Sequence, residues 1–364
     1  MMRIYFVVKE PSERTINHFV SSLGNALQKQ GCEVAYGLKL LWTDEVFDCD
    51  IVHFQWPEYV FGSQKKYFSD EDVKRLGNRI GQLKDSGIKI FVQVHNLKPH
   101  TNKDKNVLRL YEVLYQQADV MVHMGKYSRD LLQSQYPNIK HIVIPHHIYD
   151  NVLPFSISQQ EARQRLHLPQ DKKIILSFGK FRNNKERQFV LNIKNKCNHS
   201  PLFGRGAGGE AFFLMPGFYR ETLNTWNPKK LMTRLYHTMR YKLKDIQFSN
   251  DVIPDDLMQC YFCAADVVLI QRLDILNSGN LPMAFAAGKV VVGPDYGNVG
   301  KILRETSNFV FDPTHIDSAV QAVQEALIAS DTDKGLRNKK YAEKYWSSVV
   351  IAKAMIENYK MAIK

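Results

Sequence analysis

The stretch Leu276-Asn-Ser-Gly-Asn-Leu-Pro-Met-Ala-Phe-Ala-Ala-Gly-Lys-Val-Val-Val-Gly-Pro-Asp-Tyr-Gly-Asn-Val-Gly300 decides the fold. Small and amide residues, Asn277 to Asn280, lead into an apolar run that Pro282 opens and Gly288 closes. Proline at the first helical position and glycine just past the last punctuate a helix, with Asn277 or Ser278 as its expected cap. A strand, Val290 to Val292, follows and ends in a turn over 294–297. Loop, helix and strand in that order belong to an α/β sheet. The helix start offers free amides and the positive end of its dipole to whatever lies beside Ser278, Gly279, Asn280 and Leu281. An anion is the natural occupant.

A second anion-directed element lies about a hundred residues earlier, in Ser177-Phe-Gly-Lys-Phe-Arg-Asn-Asn-Lys185. There Lys180, Arg182 and Lys185 follow a predicted strand, 173–178. The plain alternative is a solvated basic loop. Fixed positive charge is what a diphosphate leaving group needs as negative charge develops on its oxygens. Two phosphate-directed elements in one α/β half imply a diphosphate, and hence a nucleotide-sugar.

Around this half the chain alternates strands and helices throughout. Strands are predicted over 3–8, 51–55, 89–95, 120–123 and 141–144, with helices over 16–29, 70–85, 106–117 and 128–134. Such a rhythm implies a parallel sheet with helices on both faces. After a linker at 151–159 the alternation resumes, and a last helix is expected over 334–364. The economical reading is two doubly wound, Rossmann-like α/β domains facing a cleft, at 1–152 and 160–335. Ligands in such sheets lie beyond the carboxyl ends of the strands.

The 364 residues, 44% of them hydrophobic, suffice for two cored domains. No window reaches the ~18 apolar residues of a membrane span, and the first apolar run is too short for a signal peptide. Five scattered cysteines fit a reduced, cytoplasmic protein. The net charge of +12 is uneven: residues 1–150 hold 19 Lys and Arg against 17 Asp and Glu, and residues 151–364 hold 30 against 20. The positive field therefore belongs to the second half, where nucleic acid, anionic lipid or phosphorylated small molecules are the candidate partners. Nucleic acid is not expected, because the basic residues cluster at phosphate-loop positions and in one helix.

Several polar residues gather at predicted strand ends of the first half. His53, His95, His123 and His146 each stand there, and Trp56 and Glu58 follow the strand at 51–55. Glu58 is the best acidic candidate facing an acceptor. If the reaction inverts, Glu58 or His95 can serve as general base; if it retains, the departing phosphate takes the proton. No H-x-x-x-H spacing supports a metal, and no cofactor is expected. Three other patterns fail their context. Asp48-Cys-Asp50 runs into a buried strand, Gly204 to Gly209 precedes a strand instead of following one, and Cys260-x-x-Cys263 lies in a helix without a second pair.

Taken in order, these blocks resemble a GT-B fold glycosyltransferase, similar to the retaining family 4. The blocks are 50–58, 94–100, Ala118-Asp119 with 126–128, 144–147, Phe178-Gly-Lys180 with Lys185, Ala265-Asp266, 277–279 and 288–292. The resemblance implies sugar transfer from a nucleotide donor without bound metal, and His95 against the donor sugar. It also implies a C-terminal helix, 336–364, crossing back to the first domain. The two glutamates that family 4 enzymes carry seven residues apart are Leu276 and Met283 here, with Asp274 and Asn277 as substitutes for the first.

Residues 218–244 mix aromatic and basic side chains. The expected helix packs a stripe of Leu231, Met232, Leu235, Met239 and Leu243 on the sheet and turns a basic face outward, which suits an anionic membrane surface. The expected function is transfer from a UDP- or GDP-sugar to a glycan or lipid-linked glycan in polysaccharide assembly, in the cytoplasm or at the inner face of the plasma membrane. A nucleotide-sugar epimerase and a catalytically silent nucleotide- or glycan-binding partner subunit are the other readings.

Overall fold

The computed structural model describes residues 1–8, 18–43, 48–62, 64–99, 104–198, 211–218, 228, 231–232, 235–236, 245–249 and 253–364. The glycine-rich run at 204–209 and most of 218–244 lie outside them. The chain forms two compact units, residues 1–152 with 345–364, and residues 153–344.

The first unit holds a six-stranded parallel sheet in the order β2-β1-β3-β4-β5-β6. Its strands are β1 (Arg3–Val7), β2 (Glu33–Gly37), β3 (Ile51–Phe54), β4 (Lys89–Val94), β5 (Val120–His123) and β6 (Lys140–Val143). β1 pairs with both β2 and β3, so the winding reverses between β1 and β3. The central strands are apolar on both faces, as helix-covered parallel strands must be: Ile90, Phe91, Val92 and Val94 are wholly buried. β2 was not expected; it lies at the sheet edge, and among its five residues only Gly37 is fully buried.

The second unit repeats the plan in the order β12-β11-β10-β7-β8-β9. Its strands are β7 (Ile174–Leu176), β8 (Phe212–Pro216), β9 (Ile246–Ser249), β10 (Val267–Leu269), β11 (Val290–Pro294) and β12 (Phe309–Phe311). Here the winding reverses between β7 and β10, which pair in register Val267 to Ile175 and Val268 to Leu176. The core joins Ile175, Phe213, Val267 and Val290 to Val323 and Ala326 of the Ile316–Ala329 helix.

The C-terminal stretch differs from the single helix expected. It forms two helices, Lys334–Trp346 and Ser348–Ile363. Ser347 adopts an extended ψ of 147° and its side chain accepts from the Val350 amide, which ends one helix and caps the next. The second helix packs in the first unit, where Tyr359 is wholly buried against Phe91. Of the apolar stripe expected to pack on the sheet, Leu231, Met232 and Leu235 are instead 58 to 69% exposed, and Met239 and Leu243 lie outside the described residues.

Candidate functional site

In the second unit, the two anion-directed segments meet at the switch point. The chain leaves β7 through Ser177 and Phe178 into Gly179, whose φ of +94° suits glycine alone. Across it lies Gly217, also left-handed at +87°; a Cβ there would come within 2.9 Å of the Gly179 carbonyl oxygen. Asn280, the first residue of the Asn280–Ala286 helix, donates from Nδ2 to the Phe178 carbonyl at 2.9 Å. Gln271, just past β10, donates to the same oxygen at 3.4 Å. Loop and helix start are thus stapled together beyond adjacent strand ends.

Within this junction Lys180 and Lys185 are exposed and Arg182 is half-buried. The Arg182 amide donates to Glu186 Oε2 at 2.8 Å, and Asn183 Oδ1 accepts from the Glu186 amide at 3.0 Å, so the loop is tied to the helix that follows. Of the four backbone amides expected at the other segment, that of Leu281 is turned to the Ser278 carbonyl at 3.2 Å. The amides of Ser278, Gly279 and Asn280 have no acceptor among the described residues. Neither Asn277 nor Ser278 caps the helix; Gly279 precedes it without a side-chain cap. Asn277 is occupied instead, its Oδ1 accepting from Asn298 Nδ2 at 2.8 Å. Pro282 falls at the third helical position, where its missing amide still costs no bond. Asp274 is exposed, and Leu276 and Met283 are buried at 4 and 7% exposure.

Arg272 was not anticipated. It lies three residues beyond the carboxyl end of β10, beside Gln271. Burial, and then the nearby Arg182, push its guanidinium down to about 10, while Glu186 and Asp274 oppose the shift. Two guanidiniums at one strand-end rim repel each other until an anion arrives. A basic residue within three positions of the end of a strand of the second sheet was the available signal.

In the first unit, His95 and Trp56 stand together at the carboxyl ends of β4 and β3. Their rings stack 4.1 Å apart at 16°. The edge of Phe19 meets His95 and His146 at 4.9 Å each. His95 Nε2 lies 3.0 Å from Gln55 Oε1. Burial, aided by His146 and His53, holds the His95 ring well below the usual imidazole range. His146 Nδ1 donates to the His147 carbonyl at 2.8 Å, so its Nε2 accepts from the Tyr149 hydroxyl at 3.1 Å.

The other two histidines lie deeper. His53 is wholly buried between Phe6, Phe91 and Tyr359, and the Tyr359 hydroxyl is 2.7 Å from its Nδ1. His123 is wholly buried too, in a chain from Ser128 Oγ through His123 to His141 and the Tyr136 carbonyl. Glu58 belongs to a neighbouring tyrosine cluster: the Tyr111 hydroxyl donates to its Oε2 at 2.6 Å. Burial raises the Glu58 carboxyl above its usual range despite that bond, the direction that suits a general acid or base.

No protein-family model and no curated protein matches the chain. Solved structures do match along their full length. The sucrose-phosphate synthase of Thermosynechococcus elongatus is 14% identical, covers 99% of each chain and has a TM-score of 0.71. The catalytic domain of Arabidopsis thaliana starch synthase IV, bound to ADP and acarbose, is 10% identical over 100% of this chain and 99% of that one, at 0.68. Anabaena HepE in complex with UDP is 12% identical over 99% and 100%, also at 0.68. The fold is GT-B. In GT-B terms the stapled junction lies at the switch point of the C-terminal sheet, and the His95–Trp56 stack at the strand ends of the N-terminal one.

Proposed function

We propose that this protein is a glycosyltransferase that takes a sugar from a nucleoside-diphosphate donor, a UDP- or GDP-sugar, to a glycan or lipid-linked glycan acceptor. One observation carries the reading. The basic loop after β7 and the start of the Asn280–Ala286 helix are joined through Asn280 and the Phe178 carbonyl. Beside that staple stand Lys180, Lys185, Arg182 and Arg272, with the Ser278, Gly279 and Asn280 amides, which have no acceptor among the described residues. Donor phosphates are the ligand that this combination of charge and amide suits. Structures of the same fold described as bound to UDP or ADP support the choice.

In this reading Lys180, Lys185, Arg182 and Arg272 stabilise the leaving diphosphate by charge, without a metal. Asp274 and Asn277 belong to its nucleoside or sugar. His95 and Trp56 belong to the sugar-facing side, with His146 beside them, and Glu58 is the acidic group nearest the acceptor. The outcome is retention, with the departing phosphate accepting the proton. The protein works in the cytoplasm. The exposed Leu231, Met232, Leu235 and Tyr236 support contact with a membrane surface carrying the acceptor. No helix among the described residues is long and apolar enough to cross a membrane.

One observation favours a second reading. Leu276 and Met283, where the resembled family carries glutamates, are buried apolar residues, which suits a nucleotide-binding partner that does not turn over. Thermal-shift and calorimetric titration with UDP, GDP, ADP, CDP and dTDP, without metal, test the donor site. Stabilisation by one diphosphate supports it, and no response to any of them removes it. Donor binding without transfer or slow hydrolysis supports the silent partner.

A further inference from the structure

A polar cavity of about 260 Å³ opens in the first unit, between the Leu40–Trp42 turn after β2 and the Asp70–Asp85 helix. Trp42 and Thr43 line it from one side and five polar residues of the helix from the other. Trp42 is locked in place. Its indole N–H donates to the Val60 carbonyl at 2.7 Å, and Phe61 stacks on it at 4.5 Å and 14°. The Arg75 guanidinium also lies over the indole, 4.5 Å from the ring centroid. Arg75 is exposed, yet its guanidinium makes no hydrogen bond or ion pair with any described residue. A guanidinium held by its face presents its N–H edge as a fork that matches two oxygens of one carboxylate or phosphate.

The other lining residues support an anion that carries hydroxyls. Arg79, one turn further along the helix, is 5% exposed; its Nε donates to the Leu41 carbonyl at 2.7 Å and its Nη1 to Gln82 Oε1 at 3.1 Å. Glu71 is the one carboxylate among these lining residues and is not bonded to Arg75, so two cations outweigh it. Asn78 and Gln82 stand three and seven residues after Arg75, on the same helix face. The Asn78 amide and Gln82 Nε2 have no hydrogen-bond partner among the described residues. Side-chain amides bond hydroxyls as donor and as acceptor.

We propose that this cavity binds one sugar unit bearing an oxyanion, a uronate or a sugar phosphate, with Arg75 on the anion and Asn78 and Gln82 on the hydroxyls. The cavity is smaller than one for a drug-sized ligand, and its polar lining suits a sugar and not an apolar molecule. Phe61 and Arg75 already occupy the Trp42 ring, so recognition runs through oxygens. The link to transfer rests on the proposed function. Val60 and Phe61, which hold Trp42, directly follow the Pro57–Tyr59 turn that bears Glu58, so the occupant is a further unit of the acceptor glycan.

The Trp42 indole N–H, assigned in 1H–15N spectra of the full chain through W42F, reports occupancy. The wild-type protein is titrated at pH 7.5 with glucuronate, glucose 6-phosphate, glucose and inorganic phosphate. A saturable shift with glucuronate, glucose 6-phosphate or both supports the site and names its oxyanion. Silence with both overturns it. An equal response to glucose removes the anion from the recognition, and an equal response to inorganic phosphate removes the sugar; either result overturns the proposal. Arg75→Ala should weaken the responding sugar at least about tenfold, the scale of one charge-assisted contact, and an unchanged affinity overturns the assignment. Should Arg75→Ala fail to fold, Arg75→Gln, which keeps the stem and drops the charge, gives the same reading. Failure of the glycosyltransferase reading looks different: no nucleoside diphosphate stabilises the protein, while the acidic sugar still shifts Trp42.

Discussion

Asn280 Nδ2 donates to the carbonyl oxygen of Phe178 at 2.9 Å, across 102 residues of sequence. The bond joins the end of β7 to the start of the Asn280–Ala286 helix, and so fixes the spacing between Lys180 and the helix amides. Asn280→Leu should leave the fold standing, because the donor lies at a partly exposed rim. It should weaken nucleoside-diphosphate binding about tenfold, the scale of one lost hydrogen bond of roughly 1 to 1.5 kcal/mol plus loop displacement. Calorimetric titration of the diphosphate that binds wild type checks this, and an unchanged Kd would mean that the staple does not organise the site.

Charge in the junction can be removed at less structural cost. Lys180 and Lys185 are exposed, so the K180A/K185A pair should fold and melt as wild type does. Each charge-assisted contact to a phosphate is worth roughly 1.5 to 3 kcal/mol, so the pair should lose at least a hundredfold in diphosphate affinity. Retained affinity would remove the loop from the donor site.

Arg272 makes a sharper case, because its effect should have opposite signs with and without ligand. Burial and Arg182 already disfavour its charge. Arg272→Met therefore relieves repulsion in the free protein and should leave its melting temperature equal or slightly higher. In the presence of diphosphate the order should reverse, with affinity about tenfold weaker. A variant destabilised to the same degree in both conditions would assign Arg272 to structure alone.

Both sheets were legible from the alternation of apolar strands with amphipathic helices, and in the second unit the two segments singled out follow β7 and β10, the strands on either side of its switch point. What was missed has physical causes. β2 and β12 are edge strands in which only Gly37 and Phe311 are fully buried, so neither reads as a covered central strand. Gln55, Gln271 and Arg272 gain meaning from neighbours forty or more residues away. His53 and His123 looked like rim residues because one stands next to the end of β3 and the other ends β5, but the Tyr359 and His141 side chains lie against them and both are wholly buried. The sequence shows where a strand stops, not what covers its last side chain.

Those covered histidines make stability depend on pH. Burial lowers His53, His123 and His146 to about 3 and His147 to about 4. Unfolded, each returns to about 6.5. Between those values the unfolded chain binds more protons than the folded one, so stability is complete above about pH 6.5 and falls as pH drops below it. Each histidine contributes up to about 1.4 kcal/mol per pH unit in that window. Four together should carry the first unit to unfolding near pH 5. Urea melts at pH 7.5, 6.5 and 5.5 check the slope, and a flat profile would mean that these rings are hydrated in solution.

Tyr359→Phe isolates one of the four. The substitution keeps the ring against Phe91 and deletes only the hydroxyl that lies 2.7 Å from His53 Nδ1. His53 Nε2 already lacks a partner among the described residues, so the variant leaves both nitrogens of a wholly buried imidazole unpaired. Leaving a buried polar group unsatisfied costs roughly 1 to 3 kcal/mol, which should appear as a lower urea midpoint at pH 7.5 with an unchanged m-value. Diphosphate affinity should not move, since the pair belongs to the first unit and the phosphate-directed loop to the second. A loss of stability below about 0.5 kcal/mol would show that water reaches His53 when the hydroxyl is gone.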